Sequence, residues 1–275
     1  MDKAIEFKAL PGAVGGRARG GRHTQEDDLL CLHDPSTDTY LLVLADGMGG
    51  DGAGEIASRG VVQSALRLWE QGLWRTQPTS LFLESVCQAA HAELRRCQQE
   101  QAMGSPHSTV VALLVKDRRV AWAHVGDSRL YRFHGQRLLG RTEDHSLAQL
   151  RHRRGEAATH DDQQWLLRGL GGPQDPVVEH GSGELRRGHA FVLCSDGAWT
   201  QLKDEELGCF VQRRDQHEAV REAIHLAVER GGASGDNVSL IFVRPPSGGL
   251  LPAFWQAMFS GRRRGKSPAI MQDEV

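Results

Sequence analysis

The sequence predicts an α+β domain whose helices are segregated from a mainly antiparallel sheet. Two observations carry this. Short apolar strand patterns come in groups separated by turn residues, and helical periodicity is confined to two blocks, each holding a pair of helices. A third observation concerns chemistry: strand after strand begins or ends at an aspartate, usually beside a glycine.

In chain order, residues 1–21 are rich in Gly and Arg, with one early strand expected around Ile5–Ala9. Asp28–Leu32 reads as a short strand, residues 34–39 as a turn, and Tyr40–Ala45 as a buried strand that ends at Asp46 and a run of glycines. Val62, Ala65, Leu66 and Trp69 recur at helical spacing and predict a helix from about Gly54 to Glu70. Leu83, Cys87, Ala90, Leu94 and Cys97 form one face of a second helix, closed by Gly104 and Pro106. Ser108–Val115 and Val120–Val125 flank a polar turn, and Leu130–His134 and Arg137–Leu139 form a further hairpin. Residues 145–188 are polar and bear Gly and Pro. A short helix is expected at Ser146–Arg153, and the rest reads as an irregular excursion of the length that lids and binding loops have. Phe191–Ser195 is a strand ending at Asp196, Asp204–Gln212 and Glu218–Glu229 are helices, and Val238–Val243 is the last strand.

Pro245, Pro246 and two glycines close the domain, giving 1–247 as one domain and 248–275 as an extension. In the extension Leu250, Leu251, Phe254, Trp255, Met258 and Phe259 fall on one face of a short helix before Arg262–Arg264. Such a stretch can touch an anionic membrane or a partner; docking on its own domain or disorder is the plainer alternative, and residues 266–275 are expected to be disordered.

Composition bounds the function. Hydrophobic residues make up 39% and charged residues 25%, ordinary for a soluble protein with a sizeable core. A net charge of −2 gives no global case for nucleic acid or an anionic surface as partner. Cys31, Cys87, Cys97, Cys194 and Cys209 form no CxxC pair and suit structural roles in a reducing compartment. The N-terminus lacks a signal-peptide pattern, and no apolar run approaches the roughly 18 residues of a membrane span. A cytoplasmic monomer is expected.

Asp46, Asp127 and Asp196 follow apolar strands, whereas Asp27 and Asp236 precede them. In antiparallel sheets the end of one strand lies beside the start of its neighbour, so all five can gather at one edge. Carboxylates gathered in this way repel one another unless divalent cations neutralise them, and all-oxygen ligation points to Mg²⁺ or Mn²⁺. Each Asp-Gly alone could simply make a turn; the repetition after buried strands favours a site. Arg22, just before Glu26-Asp27, suits bidentate contact with a tetrahedral oxyanion, although Arg17 and Arg19 nearby show that a surface arginine is the alternative.

These residues also carry a resemblance. Arg22-His23-Thr24-Gln25-Glu26-Asp27 resembles the RxxNED motif of metal-dependent serine/threonine phosphatases of the protein phosphatase 2C (PPM) type. Ala45-Asp46-Gly47-Met48-Gly49-Gly50, with Gly54-Glu55 and Ala57-Ser58, resembles that family's ADGMGG signature in its bacterial form. Val125-Gly126-Asp127-Ser128-Arg129-Leu130-Tyr131, Thr142 with Asp144-His145-Ser146, Leu193-Cys194-Ser195-Asp196-Gly197 and Gly235-Asp236-Asn237-Val238-Ser239 follow in family order. The likeness covers residues 20–243.

The resemblance implies a four-layer αββα sandwich, two antiparallel sheets flanked by helix pairs, with two Mn²⁺ or Mg²⁺ ions at one end and a third, weaker site. It implies that Asp46 bridges the ions, that the Gly47 carbonyl binds one, and that Asp196 and Asp236 bind the other. Asp27 and Glu26 act near the metals, partly through water, with Asn237 beside them. Asp127 with Asp196 matches the third site, and Arg22 holds the phosphoryl group. Phosphoserine or phosphothreonine in proteins would be hydrolysed by direct attack of a metal-bridging water. Residues 145–188 correspond to the flap. The implied partners are phosphorylated proteins, above all substrates of a eukaryotic-type Ser/Thr kinase and the kinase itself.

Three positions depart from the pattern. Gln25 replaces an Asn, Asp51 replaces a frequent His, and Met48 stands where animal members carry a proposed general acid. Leaving-group protonation then falls to water or another group, with His145 and His23 as candidates. The competing readings are a non-catalytic relative that binds phosphoproteins, which the intact acids oppose, and a nucleotide cradle, which lacks a Lys-Ser/Thr after the glycines.

Overall fold

The apolar run 41–45 has no polar face to give to water, and the fold buries it on both sides. A computed structural model of the chain describes residues 4–50, 52–100, 105–159, 162 and 165–244. Twelve strands are described: β1 (Glu6–Leu10), β2 (Ala13–Ala18), β3 (Asp27–Asp34), β4 (Thr39–Met48), β5 (His107–Ser108), β6 (Val110–Lys116), β7 (Arg119–Val125), β8 (Arg129–His134), β9 (Arg137–Arg141), β10 (Glu179–Glu184), β11 (His189–Cys194) and β12 (Val238–Val243). The helices are α1 (Ala53–Glu70), α2 (Leu73–Thr76), α3 (Thr79–Glu100), α4 (Leu147–Arg153), α5 (Asp196–Trp199), α6 (Asp204–Val211) and α7 (Gln216–Gly231).

One sheet has the order β1-β2-β12-β11-β8-β9. The other runs β10-β7-β6-β4-β3, with β5 on β4. Every registered pair is antiparallel. Along β4 the side chains alternate: Leu42 and Leu44 join Val111, Leu113, Phe191, Leu193 and Ile241 between the sheets. Leu41, Val43 and Ala45 join Val61, Phe82, Val86 and Leu94 beneath α1 and α3. A matching cluster joins β8, β11 and β12 to α6 and α7 through Tyr131, Phe133, Val192, Leu207, Val220 and Ile224. The layers are therefore helix, sheet, sheet, helix, as the resemblance implies. Each fully buried Leu or Val contributes roughly 1.5–3 kcal/mol relative to exposure.

Several elements differ from expectation. β2 lies inside the Gly/Arg-rich stretch that shows little periodicity, yet it is a central, mostly buried strand. Its glycines carry no apolar signal, but they let neighbours approach: a Cβ on Gly16 would lie 2.8 Å from both Ile224 Cδ1 and Val220 Cγ1. β4 does not stop at Ala45 but continues to Met48, because β5 pairs with Gly47 and Met48. The 145–188 excursion ends in a true strand, β10, on the edge next to β7; its sequence EHGSGE has no apolar residue. The expected helix at 146–153 forms, with the Ser146 side chain accepting a bond from the Gln149 N–H. Asp51 and the extension from 248 lie outside the described residues.

Gly16→Val should overpack the β2–α7 contact and lower stability by roughly 1–3 kcal/mol. The check is a lower urea midpoint at unchanged m-value.

Candidate metal centre

The strand register places Asp27 directly opposite Asp46. Asp46 lies within β4 rather than after it. Its N–H donates to Thr109 Oγ1 at 3.1 Å, and its carbonyl accepts the Thr109 N–H at 2.8 Å and the Ser108 hydroxyl at 3.0 Å. The backbone is thus fully satisfied at this point.

Asp27 is 1% exposed. Its N–H donates to Gln25 Oε1 at 3.0 Å, so the longer amide still serves this loop. Its Oδ2 accepts the Ser195 hydroxyl at 2.8 Å, and Ser195 Oγ accepts the Ser239 N–H at 3.1 Å. The Ser195–Asp27 bond therefore joins the two sheets at the acidic end, and Ser239 holds Ser195 in place. The sequence reading missed both as functional residues; the available signal was a serine immediately before Asp196 and another two residues after Asn237.

Asp196 opens α5. Asp127 stands in the turn between β7 and β8, and its carbonyl accepts the Trp199 Nε1–H at 3.0 Å. Asp236 lies two residues before β12. One Asp236 oxygen accepts its neighbour's N–H, and the other accepts Arg22 Nη2 at 2.6 Å. Arg22 is half exposed, at the rim.

Asn237 is 3% exposed and holds the loop that carries Arg22 and Glu26. Its Oδ1 accepts the Glu26 N–H at 2.7 Å, and its Nδ2 donates to the Arg19 and Thr24 carbonyls at 2.9 and 3.0 Å. Glycine matters where three backbones converge. A Cβ on Gly47 would lie 1.9 Å from the Gly54 carbonyl oxygen, and one on Gly54 would lie 2.7 Å from the Glu26 carboxyl.

The acids form one electrostatic cluster. Burial pushes the Asp46 carboxyl well above the usual carboxylate range, and Asp27, Asp196, Asp127 and Asp236 add to the effect. Burial raises Asp27 to about 7 against the bonds from Ser239 and Ser195. It raises Asp127 to about 8, with Asp196 and Asp144 contributing. Asp196 is raised by burial and then by Asp236. Such a set must carry protons or bind cations. Its donors are all oxygen, which fits Mg²⁺ or Mn²⁺.

Three ligand-type groups also converge elsewhere: atoms of His124, His145 and Glu179 lie within 4.8 Å of one another. Their hydrogen bonds oppose metal binding. Gly126 N–H donates to His145 Nδ1 at 3.1 Å, which places the ring proton on Nε2, 3.3 Å from Glu179 Oε1. His124 Nε2 donates to the Glu143 carbonyl at 3.0 Å, and the two rings stack at 4.7 Å. Burial, followed by His124, pulls His145 down to about 4. A neutral, 6% exposed imidazole has no acid proton to give at neutral pH, which removes His145 as a leaving-group donor.

The chain is similar to known proteins in sequence and fold. The family described as protein phosphatase 2C matches residues 15–229. Serine/threonine protein phosphatase PstP of Mycobacterium tuberculosis is 30% identical over 211 residues, 73% of this chain. The match spans 39% of that relative's length. Serine/threonine phosphatase stp of Listeria monocytogenes is 29% identical over 231 residues, covering 81% of this chain and 90% of the relative. The crystal structure of the PstP catalytic domain in complex with two manganese ions superposes with a TM-score of 0.70 at 25% identity, covering 88% of this chain and 99% of the other.

Metal-free protein should lose stability as pH rises from about 4 towards 8. Native Asp27 and Asp127 hold protons to about 7 and about 8, whereas the unfolded chain releases them near 4. Cations displace those protons, so the gain in Tm from saturating Mn²⁺ should be larger at pH 8 than at pH 5. Scanning calorimetry at both pH values checks this, and equal gains would contradict it.

Proposed function

This chain belongs to the protein phosphatase 2C family, and from that premise we propose that it is a metal-dependent protein serine/threonine phosphatase. The observation that carries the reading is Asp27 opposite Asp46 at the buried sheet end, in one electrostatic cluster with Asp127, Asp196 and Asp236. In this reading Asp46 and the Gly47 carbonyl, with Asp196 and Asp236, hold two Mn²⁺ or Mg²⁺ ions. Asp127 with Asp196 serves a third, weaker site, and Asp27 and Glu26 act beside the ions. When bound, the ions supply Lewis acidity and a nucleophile near neutral pH.

The chain's own residues do the rest. Arg22, at the rim and already oriented by Asp236, receives the phosphoryl oxygens. Asn237 fixes the loop from which Arg22 projects. The apolar layer beneath β4 and β6 limits water to the open end. Cys31, Cys87 and Cys194 stay outside the chemistry, because burial raises their thiols and makes them poor nucleophiles.

The substrates in this reading are phosphoserine and phosphothreonine in proteins phosphorylated by a eukaryotic-type kinase, and the kinase itself. Among the described residues no helix is long and apolar enough to cross a membrane, and we place the activity in the cytoplasm.

Asp46→Asn should reduce Mn²⁺-dependent release of phosphate from a phosphoseryl peptide by at least about 10³-fold. Near wild-type turnover at saturating Mn²⁺ would refute the assignment. Arg22→Ala should raise KM by about 10-fold with a smaller change in kcat, because it binds phosphate in ground and transition states alike. Steady-state kinetics that showed a fall in kcat alone would contradict that role.

A further inference from the structure

Expulsion of a seryl or threonyl oxygen leaves a strongly basic alkoxide, so a proton donor beside that oxygen accelerates the reaction. Asp27, Asp46, Asp127, Asp196 and Asp236 are committed to the carboxylate cluster, and His145 is buried and stacked on His124. The strand register brings in a different imidazole. β5 pairs with the end of β4 so that Gly47 faces Ser108 and Met48 faces His107. Leu44 and Val111, paired further along the same two chain segments, belong to the inter-sheet layer. Counting in twos from Leu44 and Val111, Asp46, Met48, Thr109 and His107 continue that face towards the open end. His107 is therefore a cross-strand neighbour of the position two residues beyond Asp46, on the same face.

Two contacts fix it there. His107 Nδ1 lies 2.8 Å from the Ser105 carbonyl, which can only accept, so Nδ1 carries a proton and the ring's other nitrogen is the one left to exchange. The segment from Ser105 packs tightly on the glycine loop: a Cβ on Gly49 would lie 2.5 Å from the Ser105 carbonyl oxygen. His107 is half-buried, as a group working at a site rim must be. His23, the other histidine near the site in sequence, is exposed, and its ring has no partner among the described residues.

We propose that His107 is the catalytic acid of this chain, protonating the leaving seryl or threonyl oxygen through Nε2. The proposal rests on the phosphatase reading above. Water adds to phosphorus and gives up a proton to solvent. The bond from phosphorus to the substrate oxygen breaks with its electron pair on that oxygen, which takes the Nε2 proton. The neutral imidazole is then reprotonated from solvent.

The test compares two leaving groups at saturating Mn²⁺: a phosphoseryl peptide, whose alkoxide needs a proton, and p-nitrophenyl phosphate, whose phenolate does not. Wild-type protein that hydrolysed neither would overturn the phosphatase reading and this proposal with it. Given wild-type activity, His107→Gln, which keeps an amide donor for the Ser105 carbonyl, should lower kcat on the peptide by about 10²-fold at little-changed KM. On p-nitrophenyl phosphate the loss should stay below about 10-fold, and added imidazole should restore part of the peptide turnover of His107→Gly. Equal losses on both substrates, or none on the peptide, would overturn the assignment of His107.

Discussion

Mutual repulsion among carboxylates at one end of the sandwich is the constraint that the rest of this fold answers. An ionised carboxylate moved out of water costs several kcal/mol even after relaxation, more than one buried leucine returns. Asp27 is almost wholly inaccessible, and Asp46 is surrounded by four other acids. The chain holds them with two rigid sheets whose apolar layers are filled on both faces, so that none of the strands can slide to relieve the repulsion. A one-residue slip of β3 against β4 would turn Asp27 away from Asp46 and move Leu29 and Cys31 out of the layer between the sheets. The Asp27–Ser195–Ser239 bonds then tie the two sheets together at the acidic end. Core packing and site geometry are thus the same requirement seen from two ends of one strand.

Much of this is legible in the sequence because it rests on local pattern. Tyr40–Ala45 and Val238–Val243 announce themselves as strands by unbroken apolar residues, and the acids next to them mark the strand ends. The helices around Val62 and Leu83 follow from spacing alone. What is not legible depends on the partner strand. The middle of β2 is Gly15, Gly16 and Arg17, whose strand character comes from pairing with β1 and β12, not from propensity. β10 is polar because it lies at an edge, and it forms because β7 offers it a register. The extension of β4 through Asp46 to Met48 comes from β5, a two-residue strand too short to show any period. Ser195 and Ser239 fall in the same class, since a serine in or beside an apolar strand reads as a minor interruption until the bonds from Ser239 to Ser195 and from Ser195 across to Asp27 are known.

The loop from Arg19 to Glu26 shows how one residue can organise a rim. Asn237 spends all three of its bonds there on backbone groups, of Glu26, Arg19 and Thr24, so the loop is held by its main chain while the Arg22 and Glu26 side chains remain available. An aspartate at 237 would lose both donors and face two carbonyls with negative charge, so the amide is required on chemical grounds. Arg22 in turn reaches Asp236, the residue before Asn237. Arg22 and an acid of the cluster are positioned from the same two-residue turn, which sets their spacing independently of the distant sheet edges.

The segment 165–170 is joined to the acidic end by short backbone links. Ser108 N–H donates to the Leu170 carbonyl at 3.2 Å and Leu170 N–H donates to the Ser108 carbonyl at 2.8 Å, while the Ser108 hydroxyl holds the Asp46 carbonyl. On the other side Leu167 N–H donates to the His145 carbonyl, and His145 accepts the Gly126 N–H one residue before Asp127. Glu179, at the start of β10, faces His145 Nε2. A displacement of residues 165–170 must therefore break bonds to Ser108 or to His145, and each of those residues is bonded to the backbone that carries an acid of the cluster. A movement of this segment reaches the Asp46 backbone by one route and the Gly126-Asp127 turn by the other. Along the second route the buried His124 and His145 rings stack at 4.7 Å, and burial lowers the basicity of both, which favours the uncharged pair that stacking requires.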